Sequence, residues 1–398
     1  MKKNKLYLTL GIIGGIAIII LIAFFLFWGG GKTETDDNGG FLSGLFPLGN
    51  NGATTEPDTP ETNGKITEEI IRGNLVQLTS FAVSGATFNE ETKKVQYFEK
   101  QTGHLYEIDP YGAGKEQLTI TTIPRIFEAE WSNDSSKAVL SYFNAISEEG
   151  LAKETIKTFV ASSLSKSATG FFLPVDTFDF SVSPSGDTIF YLVKNESGVS
   201  GVTSSFEDTD KKEIFSFDFS DFWVDWPQEN AITLTTKPLA SSGGYLYALN
   251  PNTGFLTKIL GGINGLTTLY SPYENMLLYS VSEKNSVYTT VYDVDAKKTA
   301  NLETKTLPEK CFFSKKDTEV VYCAVPKDIP NANYPDDWYK GLFFFEDTIS
   351  KMDTKTGSVN IVLEDSSFDI INLFSNEEES HLFFQDKKDG TLWSYRLD

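Results

Sequence analysis

The chain has 398 residues and a formal net charge of −21 at pH 7, and 14% of its residues are aromatic. Such a charge argues against nucleic acid as a partner, because phosphate binding needs a basic surface. The length alone allows two or three domains, but 31 Phe, 17 Tyr and only 3 Met favour one large β-rich unit.

The N-terminus has the pattern of a single-pass membrane anchor. Three lysines lie in residues 1–5, "MKKNK", and residues 6–28 carry no charge. As a helix this stretch is about 34 Å long, enough to cross a hydrocarbon core of about 30 Å. It lacks a signal-peptide cleavage site, and this region has no Cys for a lipid anchor. We therefore expect residues 1–5 in the cytoplasm, a plasma-membrane helix over 6–28, and the bulk of the chain outside.

Residues 29–65 are rich in Gly, Thr, Asn, Asp and Pro. A segment of this composition buries too little apolar surface to offset its ordering entropy. It is expected to be a flexible, disordered linker between the membrane helix and an extracytoplasmic domain over 66–398.

A recurring unit occupies the rest of the chain. It has an apolar anchor residue, then Ser, Pro or Asn, a few polar residues and a strand. The separations between anchors are 43, 51, 44, 44, 43 and 61 residues, a period typical of β-propeller blades. The sequence therefore predicts an all-β, seven-bladed β-propeller with these anchors: Phe88, Trp131, Val182, Trp226, Tyr270, Phe313 and Phe374.

The ring is expected to close with a strand from the N-terminal end. After Phe374 the chain supplies too few strands for a full blade. The segment 75–88, "LVQLTSFAVSGATF", matches 116–131, "EQLTITTIPRIFEAEW", where an outer strand leads to the next anchor. This N-terminal strand would complete the last blade and cover its unpaired edge.

A second signature has an Asp or Asn where a strand meets a turn. These residues hydrogen-bond their own following backbone, so we interpret them as turn residues. The alternative, calcium binding, lacks the spacing of several carboxylates that such a loop needs. The residues concerned are Asp109, Asn250, Asp295 and Asp353.

The repeat resembles a known family. "SVSPSGDTIFYL", "YSPYENMLLYS" and "WSNDSSKAVLSY" are similar to the repeats of the TolB-like group of WD-repeat-type propellers. The resemblance covers about residues 70–398 and implies the propeller fold. It leaves the activity open, because propellers serve as binders, scaffolds and enzymes.

Recognisable catalytic chemistry is sparse in the sequence. No G-x-S-x-G, H-E-x-x-H or P-loop motif occurs, so no catalytic residue and no cofactor is predicted. The two histidines, His104 and His381, are expected at opposite faces of the disc, which argues against a shared metal site. Carboxylates from different blades could still converge in the channel, but sequence spacing does not reveal such pairs.

Cys311 and Cys323 are the only cysteines and lie in "CFFSKKDTEVVYC". They are expected to face each other across the first hairpin of blade 6. Outside the cytoplasm such a pair is predicted to form a disulfide. The alternative is two small buried apolar side chains.

Blade 6 carries an insert, 325–341, that explains its longer spacing. The insert contains Tyr334, Asp336, Asp337, Trp338 and Tyr339. Aromatic side chains with polar tips contribute strongly at protein and sugar interfaces, so these residues form the predicted binding site. In the alternative interpretation, Trp338 and Tyr339 fold back as a plug over blade 6.

Together these features predict a membrane-anchored binding module or scaffold of the cell envelope, with a protein or glycan partner. One alternative is a cell-envelope enzyme, possibly glycan-directed, that uses carboxylates in the channel. A structural part of an envelope complex is another. A deep axial pocket with convergent carboxylates would favour the enzyme, and a shallow face with exposed aromatics would favour the binder.

Overall fold

The computed structural model describes residues 71–397 apart from 149–150, 220, 303 and 365–366. They belong to one unit, Ile66–Asp398. The predicted cytoplasmic segment 1–5, membrane helix 6–28 and linker 29–65 lie outside the described residues, as do residues 66–70. Among the helices that are described, none is long and apolar enough to cross a membrane.

Seven antiparallel sheets, here called blades 1 to 7, follow one another along the described chain. Two short strands, β1 (Ile71–Arg72) and β2 (Leu75–Gln77), precede blade 1. The strands of blades 1 to 4, four per blade in chain order, are β3 (Val83–Asn89), β4 (Lys94–Glu99), β5 (Leu105–Ile108), β6 (Glu116–Gln117), β7 (Ile126–Trp131), β8 (Ala138–Glu148), β9 (Leu151–Ser163), β10 (Thr169–Phe172), β11 (Thr177–Val182), β12 (Thr188–Asn195), β13 (Gly198–Ser205), β14 (Lys212–Phe217), β15 (Phe222–Gln228), β16 (Ala231–Thr236), β17 (Gly243–Leu249) and β18 (Leu256–Asn264).

Blades 5 to 7 complete the series. A 3-10 helix, Pro308–Lys310, precedes blade 6, and a one-turn helix, α1 (Asp336–Tyr339), lies in its insert. The strands are β19 (Thr268–Tyr270), β20 (Met276–Glu283), β21 (Ser286–Asp293), β22 (Lys298–Asn301), β23 (Cys311–Phe313), β24 (Val320–Pro326), β25 (Asp347–Asp353), β26 (Val359–Leu363), β27 (Ile370–Ser375), β28 (His381–Asp386) and β29 (Leu392–Arg396).

This arrangement confirms the seven-bladed propeller, and every predicted anchor lies in the first strand of its blade. The second strands are the most buried, as in β4, β16 and β28, because each packs against neighbouring blades on both faces. Outer strands are exposed, and all four residues of β22 face solvent. Burial therefore decreases from the second strand to the rim.

A separate hydrophobic cluster fills each of the seven boundaries between consecutive blades. Between blades 3 and 4, for example, Phe190 and Leu192 pack with Phe222 and Trp226. Full burial of one such side chain stabilises the fold by about 1.5–3 kcal/mol. Because no blade has a core of its own, stability depends on the complete ring.

The predicted closing strand is present. β2 pairs antiparallel with β29, with Leu75 opposite Tyr395 and Gln77 opposite Trp393. Blade 7 thus combines strands from both ends of the described chain, in the order β1-β2-β29-β28-β27. The outer edge of β29 is covered, as the matching "QLT" segments predicted.

In blades 2 and 3 the serine after the anchor organises the turn between the first and second strands. The Ser132 hydroxyl accepts a hydrogen bond from the Lys137 N–H (3.0 Å), and Ser183 accepts one from Thr188 (3.1 Å). These bonds hold the turn closed and explain why Ser recurs there. In blade 3 the turn ends at Gly186, which has φ +77° and abuts the Asn133 backbone of blade 2, so only glycine fits.

The predicted turn residues behave as expected in three blades and differ in one. Asp109, Asn250 and Asp353 accept hydrogen bonds from backbone N–H groups two or three residues on. In blade 5 Asp293, rather than Asp295, accepts the equivalent bond from Ala296 (2.8 Å). Asp295 instead accepts hydrogen bonds from Asn275.

Cys311 and Cys323 form a disulfide, as predicted. They are direct partners in the β23–β24 ladder, and their Cα atoms are 4.0 Å apart. Both side chains also belong to the cluster between blades 5 and 6, so the bond lies at a blade boundary.

Candidate functional site

An axial cavity of about 1030 Å³ lies where the blades meet. The first strand of every blade contributes to its wall, because these strands surround the axis. Concave sites of this size are typical of small-molecule binding. The cavity is therefore the candidate functional site of the described chain.

Four carboxyl groups from three adjacent blades line one side of the cavity. Glu130 and Asp225 stand one residue before the anchors of blades 2 and 4. Glu128 and Asp179 stand three residues before the anchors of blades 2 and 3. Because side chains alternate along a strand, these odd-numbered offsets place all four on the axial side. Two layers of acid therefore face the cavity.

Burial raises the pKa of each of these four carboxyl groups, since surrounding protein disfavours the charged form. The pKa of Glu128 rises to about 7 and that of Asp225 to about 6. The pKa values of Glu130 and Asp179 lie well above their usual range, and neighbouring carboxylates add to the effect of burial. The Asp225 side chain is exposed to the cavity. Protein surrounds the cavity, so the carboxyl group is still poorly solvated. Near neutral pH some of these four carboxyl groups therefore stay protonated and can donate hydrogen bonds.

Two of the four carboxyl groups also connect neighbouring blades. Glu130 Oε2 accepts a hydrogen bond from the Val182 N–H of blade 3 (2.7 Å). Asp179 Oδ2 accepts one from the Val224 N–H of blade 4 (3.0 Å). These bonds fix the spacing of the inner strands, so Glu130 and Asp179 have a structural role in addition to lining the cavity.

Aromatic faces complete the wall. Phe127, Trp223 and Tyr273 line the cavity and remain 37%, 38% and 40% exposed. Two lysines, Lys237 and Lys315, also line it. Carboxyl groups outnumber them, so the cavity is acidic; those lining it are Glu90, Glu128, Glu130, Asp179, Asp225, Glu309 and Glu377.

The insert of blade 6 runs between β24 and β25 and packs onto the ring. Tyr334 is fully buried and Trp338 is 2% exposed, in a cluster with Phe345. Both therefore contribute to packing and present no contact surface. This placement agrees with the alternative interpretation of Trp338 as part of a plug.

The two acidic residues of the insert make hydrogen bonds within the protein. Asp336 Oδ2 accepts one from the Ala240 N–H of blade 4 (2.7 Å), and Asp337 Oδ2 accepts one from Asn333 (2.8 Å). The insert also reaches blade 5, where the Ala332 N–H donates to the Asn285 carbonyl (3.2 Å). It thus crosses the loops between second and third strands of two other blades.

Tyr339 is the predicted site residue that contacts the wall of the cavity. Its hydroxyl donates to Glu309 Oε1, and its ring packs edge-on against Trp223, with centroids 5.5 Å apart. Glu309 and Trp223 both line the cavity, and Tyr339 is itself 36% exposed. A binding role for the insert stays a prediction.

The histidines lie where the strand assignment placed them, His104 just before β5 and His381 at the start of β28. His104 contacts Thr122 and Gln117, whereas the buried His381 packs edge-on against Tyr111. Within the part of the chain that the structure describes, no group of three or more His, Cys, Asp or Glu side chains could hold a metal ion.

Comparison with known proteins shows the fold. No family model matches the sequence. No curated protein matches it significantly. Among solved structures, an oligogalacturonate lyase in complex with manganese is 9% identical, with a TM-score of 0.54 over 81% of this chain and 93% of that one. An oligogalacturonate lyase from Vibrio parahaemolyticus is 8% identical, with a TM-score of 0.53 over the same shares.

TolB from Acinetobacter baumannii is 12% identical, with a TM-score of 0.43 over 74% of this chain and 66% of that one. The lyases and TolB are β-propellers. The chain is therefore similar in fold to the two lyases, and its own seven blades confirm the propeller fold that the TolB-like resemblance implied.

Proposed function

We propose that the protein is a binding module of the cell envelope that takes a glycan in its axial cavity. The observation that carries the proposal is the cavity of about 1030 Å³, with carboxyl groups and exposed aromatic rings side by side in its wall. Aromatic faces pack against the apolar faces of sugar rings, and carboxyl groups exchange hydrogen bonds with hydroxyls.

The charge of the cavity favours an uncharged or amino-sugar glycan. Seven carboxyl groups line it against two lysines, one of which, Lys315, is paired with Glu377. An anionic sugar chain would meet the ionised fraction of these carboxyl groups, including Asp225 with its pKa of about 6, in a site of reduced dielectric, which opposes binding. The oligogalacturonate named for the two lyases is such an anion, so we expect a different ligand here.

The proposal also includes placement at the plasma membrane. The lysines of residues 1–5 and the charge-free stretch 6–28 support a single-pass helix with the propeller outside. The linker 29–65 would give the propeller reach above the bilayer. In that position the cavity meets envelope glycans.

Convergent carboxyl groups in an axial cavity are the feature expected of an enzyme and favour glycan cleavage as the second candidate, whereas the exposed aromatic rings in the same wall favour binding. The pKa of Glu128 is about 7 and that of Asp225 about 6. Between these two pH values Glu128 is mostly protonated while Asp225 is mostly ionised. An acid and a base of this kind are what glycoside hydrolysis requires. The same cavity would then hold the substrate.

The test is a binding panel on the purified protein, read by its tryptophan fluorescence and, for wild type and every variant, by calorimetry. The ligands are chito-oligosaccharides, their deacetylated cationic forms and oligogalacturonate. We expect binding of the first two and none of the third. Trp223→Ala should weaken binding about fivefold or more, because a stacked aromatic contributes on the order of 1 kcal/mol or more.

Tyr245→Ala is the matched control, since Tyr245 lies in the same blade, is also 38% exposed and does not line the cavity. It should leave binding unchanged. Equal loss in both variants, or preference for oligogalacturonate, would contradict the proposal. Chromatography of the mixtures separates the two candidates: intact glycans indicate a binder, and fragments that disappear in Glu128→Gln indicate a hydrolase.

A further inference from the structure

Three ionisable side chains meet in a fully buried site between blades 6 and 7. Lys310 Nζ lies 2.6 Å from Asp369 Oδ1 and 2.9 Å from Asp347 Oδ2. All three side chains have no solvent exposure. Lys310 ends the 3-10 helix, Asp347 begins β25, and Asp369 directly precedes β27.

The surroundings of this site are apolar and aromatic. Lys310 Nζ lies 4.8 Å from the ring centroid of Trp338 and 5.0 Å from that of Phe345. Taking an ammonium and two carboxylates out of water is expensive, and a buried ion pair often contributes little net stability. Joining two of the three groups covalently would remove two of these buried charges.

The carboxyl group of Asp369 is held in a fixed orientation. Its Oδ2 accepts hydrogen bonds from Trp338 Nε1–H (2.7 Å) and from the Phe345 N–H (3.1 Å). Its Oδ1 faces the Lys310 amine. Oδ2 thus has two hydrogen-bond donors, and the Lys310 nitrogen lies beside Oδ1. Donors placed in this way stabilise the tetrahedral intermediate of an acyl transfer.

We propose that Lys310 and Asp369 join in an intramolecular amide bond that the folded protein forms itself. One proton first passes from the Lys310 ammonium to Asp369 Oδ1, 2.6 Å away, and the free amine then attacks Cγ, forming the C–N bond. Oδ2 takes the negative charge of the intermediate under its two donors. Asp347 accepts a proton from the nitrogen and returns one to Oδ1, the Cγ–Oδ1 bond breaks, and one water leaves. No oxidant or other reactant is needed.

Asp347 is suited to this proton transfer. Its Oδ2 contacts the Lys310 amine and also accepts a hydrogen bond from the Ile370 N–H (2.6 Å), which fixes its position. Burial raises the pKa of Asp347 to about 6, although Lys310 opposes the shift. A carboxyl with such a pKa can both take and release a proton near neutral pH. The burial of all three groups also holds the amine and the carboxyl together, which replaces an encounter in solution.

The bond would fasten the entry to blade 6 to the entry to blade 7. It would also secure the insert, because Trp338 and Phe345 contact the same Asp369 carboxyl. The proposal is independent of any ligand in the axial cavity.

Mass spectrometry of the full-length protein tests the proposal directly. After denaturation, reduction of the disulfide and tryptic digestion, we expect peptides 306–315 and 356–387 joined in one branched species. Its mass should equal their sum less one water, about 18 Da. Trypsin should not cut after Lys310, because an acylated lysine is not a substrate. Fragmentation of the species should locate the link at Asp369. Separate peptides, with cleavage after Lys310, would overturn the proposal.

Two variants test the mechanism. Asp347→Asn should slow formation of the branched peptide by about 10²-fold or more, the usual contribution of a positioned acid–base group. Asp353→Asn is the matched control, because Asp353 lies at the other end of β25, outside the buried site. It should leave the branched peptide at the wild-type amount. Equal amounts in both variants would remove Asp347 from the mechanism, and a link located at Asp347 would refute Asp369 as the acceptor.

Discussion

Single residues show where sequence analysis succeeds and where it fails. The pairing of Cys311 with Cys323 could be predicted because both lie in one hairpin, where register follows from local sequence. The carboxyl cluster could not, because Glu128, Asp179 and Asp225 are separated by more than forty residues along the chain and meet only in the ring. A signal was nevertheless present, since each stands one or three residues before an anchor, on the axial face.

The carboxyl cluster makes stability depend on pH. The pKa of Glu128 is raised from 4.5 to about 7 in the folded protein, so the native state holds this proton when the unfolded state has lost it. The contribution of Glu128 is therefore fully present below about pH 4.5 and is lost as the pH rises through about 7.

We expect Glu128→Gln, which mimics the protonated group, to be more stable than wild type at pH 7.5 by on the order of 1 kcal/mol. At pH 4.5 the difference should vanish. Urea unfolding at the two pH values measures the effect. Glu229→Gln, in an exposed turn of blade 4, is the control and should show no such difference. A variant less stable than wild type at pH 7.5 would mean that Glu128 is ionised and paired in the folded protein.

For strands and inserts, the local sequence pattern predicted where each element lies in the chain better than it predicted which way its side chains face. The insert of blade 6 was evident from the spacing of 61 residues, but its sequence did not tell whether its aromatic side chains face solvent. In the structure Tyr334 and Trp338 are buried, because Phe345 and Leu307 complete a cluster that sequence spacing does not reveal. The closing strand β2 was predictable, since it repeats the "QLT" of blade 1.

The closing strand gives a prediction for truncated forms. Deleting residues 66–80 removes β1 and β2 and exposes the edge of β29, whereas deleting 30–60 leaves every described strand in place. We expect the first deletion to lower the melting temperature by about 10 °C or more, since it costs several kcal/mol of burial and ladder hydrogen bonds. The second should change it little. Equal melting temperatures would show that β2 adds nothing to closure.

For the whole molecule, the repeat period was enough to predict the fold, because every blade shares one pattern of anchor, turn and buried second strand. The function could not be predicted in the same way. Its candidate site is assembled from short segments of seven strands, and the residues at these positions differ from blade to blade. The blades therefore share their packing residues and differ in the residues that line the axis.

The proposed placement outside the membrane is open to a direct test. Protease added to intact cells should cut within 29–65 and release the propeller as one folded fragment, because a flexible linker is cleaved far faster than a closed ring. Cells opened by detergent and a cytoplasmic marker protein serve as controls. A propeller that resists release until the membrane is opened would place it on the cytoplasmic side.

The mixed composition of blade 7 also sets the timing of folding during synthesis. Leu75 cannot pair until Tyr395, its partner across the β2–β29 ladder, has been synthesised. At about 5–20 residues per second, ribosomes need roughly 15–60 s to make the intervening chain. Throughout this interval the nascent protein is an open arc with two bare edges, exposed to pairing with other chains. Blades 1 to 6 can stack as they emerge, but closure is a single late event, and a chain released before β29 is made cannot complete it.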